Sequence, residues 1–261
     1  MGTTYLDAIL AHHRARAAAD DRDLQRCLDQ MSDLPPARDL VAALRAGDQL
    51  AVIAEIKRRS PSKGDLSIDL DPAGLAAQYA AGGAAAISVL TDGPHFAGSA
   101  DDLGQARAAV RLPVLRKDFT VSELDVVDAR AMGADVVLLI VAALSDDELH
   151  RFDQLARQLT LSVLVETHDE AEVTRALHAT SGAIVGVNQR DLVTFSVDSD
   201  RAVRVAASIP ASSVKVAESG VRGTQDVIAL AEAGYDAVLV GEHLVTAGDT
   251  QAALRALRVP R

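Results

Sequence analysis

The scarcest cation in this sequence is the one best able to carry a proton. The chain holds 26 lysines and arginines, yet lysine occurs only at Lys57, Lys63, Lys117 and Lys215. Arginine keeps its proton at ordinary pH, whereas a lysine that is desolvated or crowded by other cations can release it. Two lysines close apolar runs: LAVIAEIK ends in Glu55 and Lys57, and VLRKD ends in Lys117 and Asp118. Side chains alternate along a strand, so Glu55 and Lys57 share the face opposite Val52 and Ala54. A carboxylate and an ammonium placed there must pair, meet a ligand or reach water. Ser60, Pro61, Ser62, Lys63 and Gly64 then supply hydroxyls, a cation and a pliable backbone, which suits an oxyanion such as phosphate. A plain strand with a solvated charged end is the other reading of that stretch. Lys215 lies three residues from Glu218, out of phase with it, and reads as structural or surface.

The elements that must position these groups follow from hydropathy. Apolar, β-branched runs occupy 50–56, 86–90, 114–115, 136–140, 162–165, 184–187, 214–217 and 237–240, separated by Ala-rich helical stretches. Strands alternating with helices indicate a parallel sheet, and eight such repeats fit a closed (β/α)8 TIM barrel better than an open doubly wound sheet. Glycines in AGGAAAISVL, MGADVVLLI and AGYDAVLV stand where helices end before strands. No GxGxxG follows an early strand, which removes the usual dinucleotide fingerprint. Residues 1–47 read as an N-terminal helical extension, with Leu6, Ile9, Leu10, Leu24 and Leu28 at helical spacing and Pro35 and Pro36 as a break. The barrel then spans 48–261 as one α/β catalytic domain. His12 and His13 are adjacent, so on a helix they diverge, and solvent exposure is expected for both.

Composition limits the partners. A net charge of −11 argues against nucleic acid or an anionic membrane, so any bound anion must be held locally. A lone cysteine, Cys27, cannot form an internal disulfide, and no spacing resembles a zinc site. The expectation is a cytoplasmic enzyme with no metal and no cofactor. The amino terminus lacks a signal-peptide core, and no apolar stretch is long enough to span a bilayer.

In such barrels chemistry sits where the strands end. The first run ends in Glu55 and Lys57, the third in Lys117 and Asp118, the fifth in Glu166, the sixth in Asn188 and Arg190, and the seventh in Glu218 and Ser219. Gly220 and then Gly241 with Glu242 follow the last two runs, where barrels often hold phosphate on backbone amides.

The motifs AEIKRRSPSKGDL, SVLTD followed by FAGS, LRKDF, ADVVLLI, LVETH, GVNQRDL with TF, VAESGV and LVGEHL occur in this order. In combination they resemble the indole-3-glycerol phosphate synthase family of tryptophan biosynthesis, and the similarity covers the barrel from Leu50 onward. The resemblance implies a lyase, a carboxy-lyase that converts 1-(2-carboxyphenylamino)-1-deoxyribulose 5-phosphate to indole-3-glycerol phosphate, carbon dioxide and water. By resemblance Lys117 is the general acid for ring closure and Glu166 the main base. Lys57 contacts the substrate carboxylate and serves as second acid. Glu55 and Glu218 should orient and balance the two lysines, with Asn188, Arg190 and Ser219 hydrogen-bonding substrate oxygens. Phosphate is expected at Ser60 and the amides of Gly220, Gly241 and Glu242, with Lys57 near. Glu242 stands where the family often has a small residue, so its side chain should point away. Phe96 and Phe119 match positions that wall the anthranilate ring, with Leu138 and Phe195 as companions. His95, His168 and His243 flank strand ends without an evident task. The expected partner is the phosphorylated small molecule alone, on a monomer or at most a weak homo-oligomer.

Three other readings stand beside this one. A Schiff-base aldolase would also keep an isolated strand-end lysine. Phosphoribosylanthranilate isomerase handles a related substrate but by resemblance needs a strand-end cysteine, and Cys27 lies in the extension. A non-catalytic phosphate-binding barrel accounts for Ser60 and Gly241 but not for two lysine and glutamate pairs.

Overall fold

Eight parallel strands close on themselves in this computed structural model, which describes residues 4–191 and 196–261. They are β1 (Ala51–Ile56), β2 (Ala86–Leu90), β3 (Val114–Lys117), β4 (Val136–Ile140), β5 (Ser162–Thr167), β6 (Ile184–Asn188), β7 (Val214–Glu218) and β8 (Ala237–Val240). Closure is made at β1, where Ala54 pairs with Val240 of β8 on one side and Ile87 of β2 on the other. Strand alternation divides the core into two layers. Ile53, Leu115, Leu138, Leu164, Val216 and Leu239 fill the barrel, while Val52, Ala54, Ile56, Val137 and Leu139 face the surrounding helices.

Every apolar run in the sequence became a strand, but four strands run further than their apolar residues. β3 extends to Lys117, β5 to Thr167, β6 to Asn188 and β7 to Glu218. The apolar pattern stops early because inward positions turn polar at the barrel mouth while the hydrogen-bond ladder continues, as in the pairing of Asn188 with Glu218. Lys117, Glu166, Asn188 and Glu218 therefore stand on strands rather than loops.

The residues before β1 form α1 (Tyr5–Ala18), α2 (Leu24–Asp29) and α3 (Leu40–Arg45). Helix α1 starts in a capping box, with the Asp7 amide donating to Thr4 Oγ1 at 3.1 Å and the Thr4 amide donating to Asp7 Oδ2 at 2.9 Å. Helix α3 buries Leu40 and Leu44 among Ala51, Ala86, Val136 and Val214, closing the end where the strands begin. Helix α1 lies against the opposite end. Its Leu6, Ile9 and His13 are buried, so one of the two histidines expected in solvent is not there. Adjacent residues do diverge, and the consequence is that His12 points out while His13 continues the buried stripe.

Lys215 faces outward from β7 and donates to the Ala206 carbonyl at 2.8 Å, a structural role. Beyond β1 the chain folds into a small antiparallel ladder between Arg59–Ser60 and Gly64–Asp65. Arg58 anchors this loop through Nε and Nη2 to the Asp102 carboxylate, at 3.0 and 2.8 Å.

Candidate active site

The carboxyl ends of the strands surround a cavity of about 780 Å³. Glu55, Lys57, Lys117, Glu166, Asn188 and Glu218 line it, together with Arg190 and Ser219. Ser60, Gly220, Gly241 and Glu242 also border it, and Phe96, Phe119 and Leu138 supply apolar wall. Phe195 lies outside the described residues.

Each lysine is held by acids. Lys57 Nζ donates to Glu55 Oε1 at 2.6 Å, the two-residue spacing having placed both on one face of the chain. Lys117 Nζ donates to Glu166 Oε2 at 2.6 Å and to Glu218 Oε2 at 3.0 Å. Asn188 Nδ2 donates to Glu166 Oε1 at 3.0 Å, and Asn188 Oδ1 accepts the Arg190 amide at 3.0 Å. The base candidate is thus fixed through both oxygens. Room for Glu218 comes from Gly186 on β6, where a Cβ would overlap Glu218 Oε1. Sequence reasoning passed over Gly186. Its signal was a lone glycine inside the apolar strand IVGVN, which often marks close approach by a neighbour.

Burial and charge set the protonation pattern. Burial opposes an ammonium at Lys117, but the charges of Glu166, Glu218 and Glu55 outweigh it and raise its pKa. Burial would also raise Glu166, yet the Lys117 ammonium dominates, with help from His168, and holds the carboxyl at about 2. At Glu218 burial prevails, reinforced by the Glu166 charge against the opposing pull of Lys117, and the carboxyl rises to about 8. Two similar acids are thereby driven apart, one an anion and the other retaining its proton near neutrality.

The chain turns sharply after β7, where Ser219 (φ 65°) and Gly220 (φ 78°) both adopt left-handed backbone. For a serine this costs on the order of 1–3 kcal/mol. Gln189 Nε2 donates to the Ser219 carbonyl at 2.8 Å and helps hold the turn. The loop after β1 meets the loops after β6 and β8: Arg190 Nη1 lies 3.3 Å from Ser62 Oγ, and Lys63 Nζ lies 3.6 Å from a Glu242 carboxylate oxygen. The Glu242 side chain is thus turned to the exposed Lys63.

Phe96 and Phe119 face each other with ring centroids 6.5 Å apart. His13 packs on Phe119 at 5.3 Å, and its Nε2 is 3.0 Å from Asp92 Oδ1. The extension therefore touches the aromatic wall and pairs with Asp92 across 79 positions of sequence, contacts that no local pattern signals. Asp92 also caps the short helix Gly93–Phe96 by accepting the His95 amide at 2.8 Å. His168, without an evident task in sequence, has Nε2 3.8 Å from Glu166 Oε1. Cys27 sits on α2, away from the cavity lining.

The family model for indole-3-glycerol phosphate synthase matches residues 6–257. The chain belongs to that family. The indole-3-glycerol phosphate synthase 1 of Streptomyces coelicolor is 53% identical over 95% of this chain and 89% of its own length. The indole-3-glycerol phosphate synthase of a Nocardioides species is 55% identical over 86% of each chain. That of Mycolicibacterium vanbaalenii is 49% identical over 96% of this chain and 92% of its own. Among solved structures, thiamine phosphate pyrophosphorylase from Pyrococcus furiosus superposes with a TM-score of 0.61, covering 84% of this chain and 96% of that one. At 16% identity this likeness concerns the barrel fold alone.

Proposed function

We propose that the cavity converts 1-(2-carboxyphenylamino)-1-deoxyribulose 5-phosphate to indole-3-glycerol phosphate, the ring-forming step of tryptophan biosynthesis. The observation that carries this reading is that Lys57 and Lys117, each paired with carboxylates, open onto one cavity walled by Phe96 and Phe119.

The aryl carbon bearing the carboxylate attacks the substrate ketone, and negative charge grows on the carbonyl oxygen. Lys117, kept an ammonium by its acidic neighbours, protonates that oxygen. The carboxylate leaves as carbon dioxide, and its bonding electrons restore the benzene ring. The new hydroxyl then departs as water with a proton from Lys57 or Lys117. Glu166, an anion at neutral pH, takes the proton whose loss makes the new ring aromatic. Two protons are given and one is recovered, so each turnover takes up one proton from solution.

Lys57 also offers its charge to the substrate carboxylate. Asn188, Arg190 and Ser219 bond substrate oxygens, and Phe96, Phe119 and Leu138 enclose the anthranilate ring. Ser60 and the amides of Gly220, Gly241 and Glu242 take the phosphate. Glu55 and Glu218 hold the two lysines. A Schiff-base role fits Lys117 poorly, because a nucleophilic amine must be neutral and Glu166 and Glu218 favour its charged form.

We assign residues 1–47 to an extension packed on a barrel of residues 48–261. The enzyme would work in the cytoplasm as a monomer or weak homo-oligomer, without nucleic acid. No helix among the described residues is long and apolar enough to cross a membrane. Incubation with the carboxyphenylamino-deoxyribulose phosphate, followed by indole fluorescence, tests the activity. Growth of the indole signal with release of carbon dioxide is expected, and a bound but unchanged substrate would refute it.

A further inference from the structure

One buried imidazole beside the base has no part in the proposed reaction steps. His168 follows β5, and its backbone amide and Nδ1 both lie on Glu172 Oε2, at 2.8 and 3.0 Å. The opposite ring nitrogen, Nε2, is buried, has no hydrogen-bond partner among the described residues, and stands 3.8 Å from Glu166 Oε1. Behind the ring lies a second cavity of about 420 Å³, lined by His168, Asp169, Glu172, Asp198, Arg201 and Arg204. His168 thus forms a partition between that cavity and Glu166.

We infer that His168, oriented by Glu172, is a positioning residue for Glu166 that supplies its counter-charge once Lys117 has given up its proton. The inference rests on Glu166 being the base of the proposed reaction. In the resting site the Lys117 ammonium balances the Glu166 carboxylate at 2.6 Å. The first chemical step neutralises Lys117 and leaves a buried anion bonded to a neutral amine and the Asn188 amide without the positive charge that had balanced it, which is unfavourable. The anion would then capture a proton before the last step needs it as a base. An imidazolium beside Oε1 prevents that capture. With Nδ1–H fixed on Glu172, the remaining N–H can point only toward Glu166, and an approach of about 1 Å makes a hydrogen bond.

The charges around the ring agree with this arrangement. Burial disfavours the imidazolium and Arg201 opposes it, but Glu172 and Glu166 prevail and His168 ionises above its ordinary value. Asp169, Glu170, Asp191, Asp198 and Arg204 line the same cavity.

The test compares His168→Gln, His168→Gly, Glu172→Gln and Glu166→Gln in steady-state kinetics across pH. For His168→Gln, kcat should fall about 10- to 100-fold with KM within about 3-fold, and the alkaline limb of kcat should vanish. Glu172→Gln should move that limb to lower pH. Imidazole added to His168→Gly can enter through the second cavity and should restore turnover in proportion to its concentration. A His168→Gln enzyme with near-parental kcat and an unchanged pH profile would overturn the inference. So would a loss confined to KM, or a loss in His168→Gly that imidazole does not recover. Near-parental turnover of Glu166→Gln would instead remove the underlying assignment of the base.

Discussion

Glu55 and Lys57 are joined at 2.6 Å directly beside Gly241, across the seam where β1 meets β8. A Cβ on Gly241 would collide with Glu55 Oε1 and stand 3.1 Å from Lys57 Nζ. Gly241 therefore leaves space for the ion pair in addition to any contact its amide makes with phosphate. Its φ of −114° is open to any residue, so the constraint is space and not backbone strain.

Gly241→Ala should consequently fold normally but lose about 10- to 100-fold in kcat/KM through displacement of Lys57. Thermal unfolding alongside kinetics checks this. An alanine variant with parental kcat/KM would show that the pair tolerates the methyl group.

The Glu218 carboxyl should make stability pH-dependent. Its folded pKa is raised to about 8 above an ordinary 4.5 by burial and by Glu166. A raised carboxyl contributes stability that is fully present below about 4.5 and is lost as pH rises through about 8, since the unfolded chain releases the proton first. Glu218→Gln removes that loss. Urea unfolding should show the variant gaining on the parent by on the order of 1 kcal/mol per pH unit between pH 5 and 8. Parallel stability curves would contradict the raised pKa. At the acid side Glu166 works with the opposite sign. Its depressed carboxyl stabilises above about 4.5, and that contribution disappears as pH falls through about 2.

His13 should link the extension to substrate binding. His13→Ala removes the buried contact with Asp92 and the packing on Phe119, at a cost of about 1–3 kcal/mol. Because Phe119 and Phe96 line the cavity, KM should rise more than kcat falls. A variant destabilised by that amount but with parental KM would confine α1 to a purely structural role.

The barrel was legible in the sequence because its strands are apolar on both faces and separated by glycine-ended helices. The pairing of Glu55 with Lys57 was legible for a similar reason, since two residues of strand spacing fix it. Contacts between distant positions were not. Lys117 meets Glu166 and Glu218 across 49 and 101 residues, and only closure of the barrel brings them together. His13 was misplaced in solvent because the sequence shows no surface for α1 to cover, and Asp92 with Phe119 provides it. Gly186 escaped notice because its importance lies in what a neighbouring strand puts beside it.

Ring closure turns on the proton of Lys117. It is the ammonium held by Glu166 and Glu218 at 2.6 and 3.0 Å, facing the same cavity as Lys57. The decisive measurement is indole formation by Lys117→Met, with binding of a phosphorylated substrate analogue measured on the same preparation. A loss of at least about 1,000-fold in turnover is expected, with analogue affinity within about 10-fold of parental. Turnover near the parental rate would contradict the assignment of Lys117 as the acid that closes the ring.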